Sequence, residues 1–411
     1  MPPVEIVRNR QRQAGPLAPE MAGSARLARK FHATLPGSAS TPLVRLPGLA
    51  ARLGVRAVFV KDESQRFGLE AFKGLGSSWA VARVLGERLG LAPERLDFAG
   101  LRAARPQLGE LTFVTATDGN HGRGLAWAAR LLGHRARVFM PAGAAAARVA
   151  AIREQGAQCV VTDLAYDDAV RHAAAHAREL DAILVQDTAW DGYEQIPSWI
   201  MEGYGTLALE TAEQLAVSGP DGSPSHIFLQ AGVGSFAAAV LASLGAALGA
   251  SGAPRPAFVS VEPHAADCVF RSIRAADENP RTCPGSLETL MAGLSCGEVS
   301  RLAWPLLRAG LAAACAVSDD VARCGMRLLA RPEAGDPPLV SGESGAVGAG
   351  LLHWLMQPEP GARGASARAR ELLGLGRAST VLLISTEGAT NPTVWEAVTG
   401  DAAPARGEPG S

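Results

Sequence analysis

The feature that most restricts how this chain folds is a cadence. Between Leu111 and Val185, short apolar runs alternate with helical stretches. Leu111–Ala116 reads as a strand, Gly122–Leu132 as a helix stopped by Gly133, and Arg137–Met140 as a strand. Ala145–Gln155 follows as a helix stopped by Gly156, then Cys159–Val161 as a strand, Asp167–Leu180 as a helix and Ile183–Val185 as a strand. Right-handed βαβ crossovers turn such a pattern into a parallel sheet covered by helices on both faces, an α/β architecture. The cadence resumes at Ile227–Leu229 and Phe258–Val261, and a last strand, Val381–Ser385, lies close to the end. Two parallel-sheet lobes are expected, with ligands bound beyond the carboxyl ends of the strands. Residues 1–30 show no clear period, and 401–411 are small, polar and rich in Pro and Gly, so both ends are expected to be loose. Residues 358–367 read as a surface loop.

Charge and cysteine content narrow the partners. Thirty-nine basic residues stand against forty acidic ones, a net charge of −1 that argues against nucleic acid or an anionic membrane surface as partner. The arginines of the first thirty residues are followed by no apolar stretch, so no targeting segment is expected. The longest charge-free run, Ile227–Pro254, is mostly Ala, Gly and Ser; it parses as a strand, a Gly loop and an Ala-rich helix rather than a spanning helix. The six cysteines form no C-x-x-C pair and read as thiols of a soluble, cytoplasmic protein.

Only three of the thirty-nine basic residues are lysines: Lys30, Lys61 and Lys73. A lysine that survives such a bias toward arginine is a candidate for chemistry that a permanently protonated guanidinium cannot do, above all forming an imine with a carbonyl.

Four segments carry candidate chemistry. In Ala71-Phe-Lys73-Gly-Leu-Gly, Lys73 stands at the start of a predicted helix, where the dipole biases the amine toward its neutral, nucleophilic form. Thr117-Asp118-Gly-Asn120-His-Gly runs from a strand end into a helix and offers Asn120 as donor and acceptor. Gly232-Val233-Gly234-Ser235 follows a strand and suits a phosphate held by backbone N–H groups. Extended to Ala237, and with Glu262 at the end of the next strand, the same glycines also fit a dinucleotide fingerprint. Ser385-Thr386 closes the last strand with two hydroxyls suited to a ring nitrogen.

Together these segments suggest pyridoxal phosphate. TPLVRL at 41–46, AFKGLGSS at 71–78, TDGNHGRG at 117–124, QAGVGSF at 230–236, SGESGAVG at 341–348 and STEG at 385–388 occur in the order seen in the tryptophan-synthase-β-like (fold type II) enzymes. The resemblance covers about residues 40–395. It implies two three-layer αβα lobes with the cofactor in the cleft between them. Residues 1–81 and 188–411 would form a large cofactor-binding domain, and 82–187 a small mobile one. It further implies Lys73 as the cofactor-bearing lysine, Asn120 at the phenolic oxygen, Gly232, Val233, Gly234 and Ser235 on the phosphate, and Ser385 or Thr386 at the pyridine nitrogen.

Serine/threonine dehydratases of this family carry a small residue before Gly-Asn-His, where this chain has Asp118. With the segment 185–204, that departure resembles the diaminopropionate ammonia-lyases, which convert 2,3-diaminopropionate and water to pyruvate and two ammonia and accept both enantiomers. The resemblance implies Lys73 and Asp118 as bases for opposite enantiomers, Asp187 as a further catalytic residue, no metal, and a homodimer. Glu262 and Asp191 are weaker pocket candidates, and His172 with His176 reads as a solvated helix face rather than a metal site. The rival readings are a serine/threonine dehydratase, an NAD-dependent oxidoreductase built on Gly232–Ala237, and a non-catalytic binding protein. The last two leave Lys73 without a task.

Overall fold

The computed structural model describes residues 3–404 apart from 16, 251, 253 and 358–363. Among the described residues eleven strands form two sheets. They are β1 (Val4–Arg8), β2 (Leu43–Arg45), β3 (Ala57–Asp62), β4 (Thr112–Ala116), β5 (Arg135–Met140), β6 (Gln158–Val161), β7 (Ile183–Leu184), β8 (His226–Gln230), β9 (Ala257–Pro263), β10 (Ala313–Val317) and β11 (Thr380–Ser385). The smaller sheet, ordered β6-β5-β4-β7, is wholly parallel. The larger, ordered β1-β10-β9-β8-β11-β3-β2, is parallel inside and antiparallel at both edges, where β1 meets β10 and β2 meets β3. Two parallel-sheet lobes are thus present as expected, with antiparallel strands only at the edges of the large sheet. The cadence from 111 to 185 lies within about two residues of the observed elements.

One expectation about loose segments fails, and another fails only at its end. Residues 1–30 contain β1 and most of the helix Pro19–His32, whose Ala25, Ala28 and Phe31 are buried. β1 is held by pairing with β10, more than three hundred residues away, so no local period announces it. The expected loop 358–367 lies partly outside the described residues, and its end, from Ala365, begins the helix Ala365–Leu373. Of the tail, 405–411 also lie outside the described residues.

The charge-free run folds as parsed, with β8, a Gly turn and the helix Ser235–Ala250, which is buried along most of its length. Among the described residues no helix is long and apolar enough to cross a membrane.

The topology aims several strand ends at one place. β11 lies between β8 and β3, so Gln230, Ser385 and Asp62 close three neighbouring strands at the same edge of the large sheet. The carboxyl ends of β4 and β7 lead into Thr117–Asn120 and Val185–Asp187. Ligands gather at such strand ends in parallel sheets.

Candidate active site

Lys73, Asp118, Asn120, Asp187, Gly232–Ser235 and Thr386 line a single cavity. Lys73 immediately precedes the helix Gly74–Arg88, as expected. Its charge state corrects the sequence reading. Burial pulls the amine down, but the carboxylate of Asp187 at 2.5 Å, with Tyr204 and Asp118 nearby, overrides both burial and helix dipole and holds it as an ammonium, well above its ordinary range. Burial likewise pushes Asp187 up, and Lys73 with His121 more than offsets that, bringing it down to about 2.

The segment carrying Asp187 is strapped in place. Gln186 N–H donates to Tyr193 Oη at 2.9 Å, and Gln186 Oε1 accepts from Thr115 Oγ1 and from Ala116 N–H. Ser235 Oγ donates to the carbonyl of Asp187 at 2.7 Å. That bond occupies the hydroxyl proton of Ser235, which leaves the backbone N–H as its donor to a phosphate. His121 sits 2.8 Å from the Val185 carbonyl through Nε2. A carbonyl only accepts, so Nε2 carries the proton, and burial lowers the ring below its usual range.

Asp118 follows β4 by two residues. Thr117 Oγ1 accepts from Gly119 N–H at 2.9 Å and Gly122 N–H at 3.2 Å, closing the turn into the helix Asn120–Leu131. Asp118 is raised above the usual carboxylate range, chiefly by burial, although Arg148 and Lys73 oppose the shift. Asn120 Nδ2 donates to Glu387 Oε2 at 2.5 Å. Glu387 also accepts the Ser344 N–H at 3.0 Å, which brings the STEG and SGES segments together.

The glycine turn 232–235 opens the sixteen-residue helix Ser235–Ala250. The first amides of a helix have no intrahelical acceptor, and the dipole favours an anion there. Gly234 has φ +89, which a side chain resists, and a Cβ there would lie 2.7 Å from Leu307. At the other end of the cavity, Thr386 accepts from Gln230 Nε2 at 3.1 Å. Ser385 does not line the cavity; its hydroxyl donates to Ser341 Oγ at 2.7 Å. Of the two hydroxyl candidates, only Thr386 faces the space. Ser344 Oγ also lines it, buried and without a hydrogen-bond partner among the described residues. An anion cradle, a lysine, an amide and two hydroxyls converging on one space fit pyridoxal phosphate.

The weaker candidates separate here. Glu262 is fully buried, and its carboxylate accepts the Val269 N–H at 2.8 Å and the Phe270 N–H at 2.6 Å, so it caps the helix Cys268–Ala275 instead of entering the pocket. That engagement also removes the acidic partner a dinucleotide ribose would need. Asp191 is largely exposed and paired with Arg301. His172 and His176 stack on one another against the edge of Phe139.

Tyr166, Gln230, Cys296, Ser344 and Glu387 also line the cavity, and sequence reasoning gave them no role. Gln230, Ser344 and Glu387 lie inside quoted motifs, which was the available signal. Tyr166 and Cys296 lie in no quoted motif.

Comparison with known proteins agrees with this geometry. A family model described as pyridoxal-phosphate dependent enzyme matches residues 34–363. The chain is 46% identical over 372 residues to a diaminopropionate ammonia-lyase of Salmonella typhimurium, covering 89% of each chain. It is similar to the holo structure of the Escherichia coli diaminopropionate ammonia lyase, with a TM-score of 0.88 at 42% identity over 96% of both chains. The same Escherichia coli protein in complex with an aminoacrylate–PLP azomethine reaction intermediate gives a TM-score of 0.86 at the same identity and coverage.

Proposed function

The chain belongs to the pyridoxal-phosphate dependent enzyme family, and from that membership we propose that it is a carbon–nitrogen lyase acting on 2,3-diaminopropionate. The reaction is an α,β-elimination: the substrate and one water give pyruvate and two ammonia. The observation that carries the choice of substrate is charge. Within and immediately behind the cavity stand four carboxylates, Asp118, Asp187, Glu343 and Glu387, against two fixed cations, Lys73 and Arg148. Such an excess of acid suits an amino acid with a second ammonium better than one with a β-hydroxyl.

Residues 232–235 would hold the phosphate, Asn120 the phenolic oxygen, Thr386 the pyridine nitrogen and Lys73 the carbonyl carbon. When bound, the cofactor supplies an electron sink that acidifies the Cα–H of the attached amino acid. Lys73 Nζ would take the α-proton of the L-substrate, and a carboxylate oxygen of Asp118 that of the D-substrate. Asp187 keeps Lys73 oriented at its side of the cavity and stabilises the ammonium formed when the amine gains a proton. The β-nitrogen leaves as neutral ammonia if it enters protonated, so no further acid is required for that bond to break.

Residues 82–187 are proposed as a small mobile domain working against 1–81 and 188–411. The family resemblance also supports a homodimer in the cytoplasm, checked by light scattering and cell fractionation. Pyruvate formation from each enantiomer of 2,3-diaminopropionate, serine and threonine tests the function. Turnover of both diaminopropionates with kcat/KM well above the hydroxy amino acids is expected. Preference for serine or threonine overturns the choice of substrate and leaves the dehydratase reading.

A further inference from the structure

Arg148 lies in the helix Ala146–Glu154 and is almost wholly buried, although nothing in its alanine-rich surroundings marks it. Its guanidinium forks between two carboxylates from different parts of the fold. One nitrogen stands 3.5 Å from Asp118 Oδ2, and another is closely paired with Glu343, which lies in the segment 341–348 beside the large sheet. The stem of Arg148 lies across Gly119, where an added Cβ would come within 2.9 Å of its Cδ. The turn presenting Asp118 is thus shaped around this side chain. Arg148 Nε is buried and has no hydrogen-bond partner among the described residues.

We propose that Arg148 is the positioning residue for Asp118, holding that carboxylate toward the cavity while Glu343 tethers the guanidinium from the other side. The proposal rests on the reading of Asp118 as the base for the D-substrate. Five charged groups act on Asp118: Arg148 and Lys73 favour its ionised form, while Asp187, Glu343 and Glu387 oppose it. Arg148 is the cation that remains when Lys73 is engaged with the cofactor. Without it, Asp118 faces the carboxylates of Asp187 and Glu387 in a buried space, and its protonated form gains. A protonated carboxyl takes no proton, so D-turnover loses activity from the acid side.

The test uses full-length holoenzyme. In Arg148→Gln the acid limb of kcat/KM for D-2,3-diaminopropionate should move up by about one pH unit or more, while the L-profile keeps its limb. A 13C NMR titration of the carboxyl-labelled aspartates, with the Asp118 signal assigned by its loss in Asp118→Asn, should show the same upward move. Arg148→Lys keeps the charge but not the fork, so its acid limb should stay while the D/L ratio of kcat falls several-fold. An unmoved Asp118 midpoint in Arg148→Gln overturns the assignment. Should Arg148→Gln fail to fold, an unchanged D/L ratio in Arg148→Lys overturns it instead. The titration does not depend on which substrate Asp118 serves. Equal losses on both isomers in Asp118→Asn, with a raised midpoint in Arg148→Gln, would therefore remove the base reading and leave the Arg148 assignment standing.

Discussion

Lys61 is fully buried and Lys73 mostly so, both are paired with a carboxylate, and they stand only twelve residues apart, yet their surroundings differ in kind. Lys61 Nζ donates to Thr41 O at 2.8 Å, Glu210 Oε2 at 2.9 Å and Gln214 Oε1 at 3.0 Å, which uses all three of its protons. Arg66 then binds Glu63 and Glu210, so the carboxylates around Lys61 are committed too. Lys73 has one strong partner, Asp187, with Phe72 and Tyr204 rings at 5.4 and 5.9 Å and a cavity in front of it. A lysine whose every donor is consumed by protein holds a fold together. One with a single ionic partner beside a cavity keeps protons, and an amine, to spend on a ligand.

The largest expected effect breaks that comparison outright if it fails. Lys73→Ala should abolish turnover, and borohydride reduction of the reconstituted protein should no longer fix a phosphopyridoxyl group to the chain. In the unsubstituted protein the label should map to the peptide containing Lys73. A label on Lys61 in either protein would mean that the committed lysine is the reactive one.

Carboxylates sharpen the contrast. Glu63 and Glu210 are saturated by Arg66, Lys61 and Thr41, whereas Asp118, among the described residues, is paired only with Arg148 at 3.5 Å and faces the cavity. Asp118→Asn should cost roughly 10²–10⁴-fold in kcat with D-2,3-diaminopropionate and far less with the L-isomer, the range set by one positioned proton transfer. Steady-state pyruvate formation from each pure enantiomer measures it. Equal losses on both would return Asp118 to binding the β-ammonium.

On the structural side, Lys61→Met should leave Glu210 buried beside a lost cation. Arg66 still pairs with Glu210, so the cost should fall below the ~3–5 kcal/mol of a buried charge left with no partner, read as a lowered midpoint in chemical unfolding. Activity per folded enzyme should change little, because Lys61 touches nothing in the cavity. A large loss of kcat in protein of normal stability would place Lys61 in the chemistry.

What the sequence disclosed, and what it withheld, follows the same division. The cadence from 111 to 185 and the glycine turn were legible because their cause is local: period, glycine stops and a helix start. Lys73, Asp118 and Asp187 stood in or beside readable motifs. Arg148 was not legible, since a lone arginine in an alanine-rich helix has no periodic signal, and its two partners lie 30 and 195 positions away. Glu262 was misjudged for the converse reason. Its place at a strand end suggested a ligand, and only the fold shows that the next helix takes both of its oxygens. β1 escaped notice because an edge strand is made by its distant neighbour.

A smaller effect concerns pH and the Lys73–Asp187 pair in the cofactor-free chain. Asp187 is held at about 2, below the value of an unfolded aspartate, so its contribution to stability is complete above about pH 4 and is lost as pH falls toward 2. Asp187→Asn lacks that contribution at every pH. Its thermal midpoint should lie below that of the unsubstituted chain at pH 6, and the gap should narrow between pH 4 and pH 3. A gap that stays constant would mean that the pair adds nothing to the folded state.

Lys30 is the control for both environments. It is exposed at the end of the helix Pro19–His32, and its Nζ donates to the Glu94 carbonyl at 3.1 Å, with no carboxylate paired to it among the described residues. A carbonyl acceptor on the surface is served as well by a guanidinium as by an ammonium, and nothing there requires an amine that can lose its proton. Lys30→Arg should therefore shift stability by no more than about 0.5 kcal/mol and leave kcat on both enantiomers unchanged. Thermal unfolding and the two-enantiomer assay measure this in one preparation. If Lys30→Arg lowered activity, scarcity of lysine would by itself mark function, and the distinction drawn from donors and cavities would lose its basis. If it is silent, the three lysines sort by environment alone: one in solvent, one saturated by the fold, one facing the cavity.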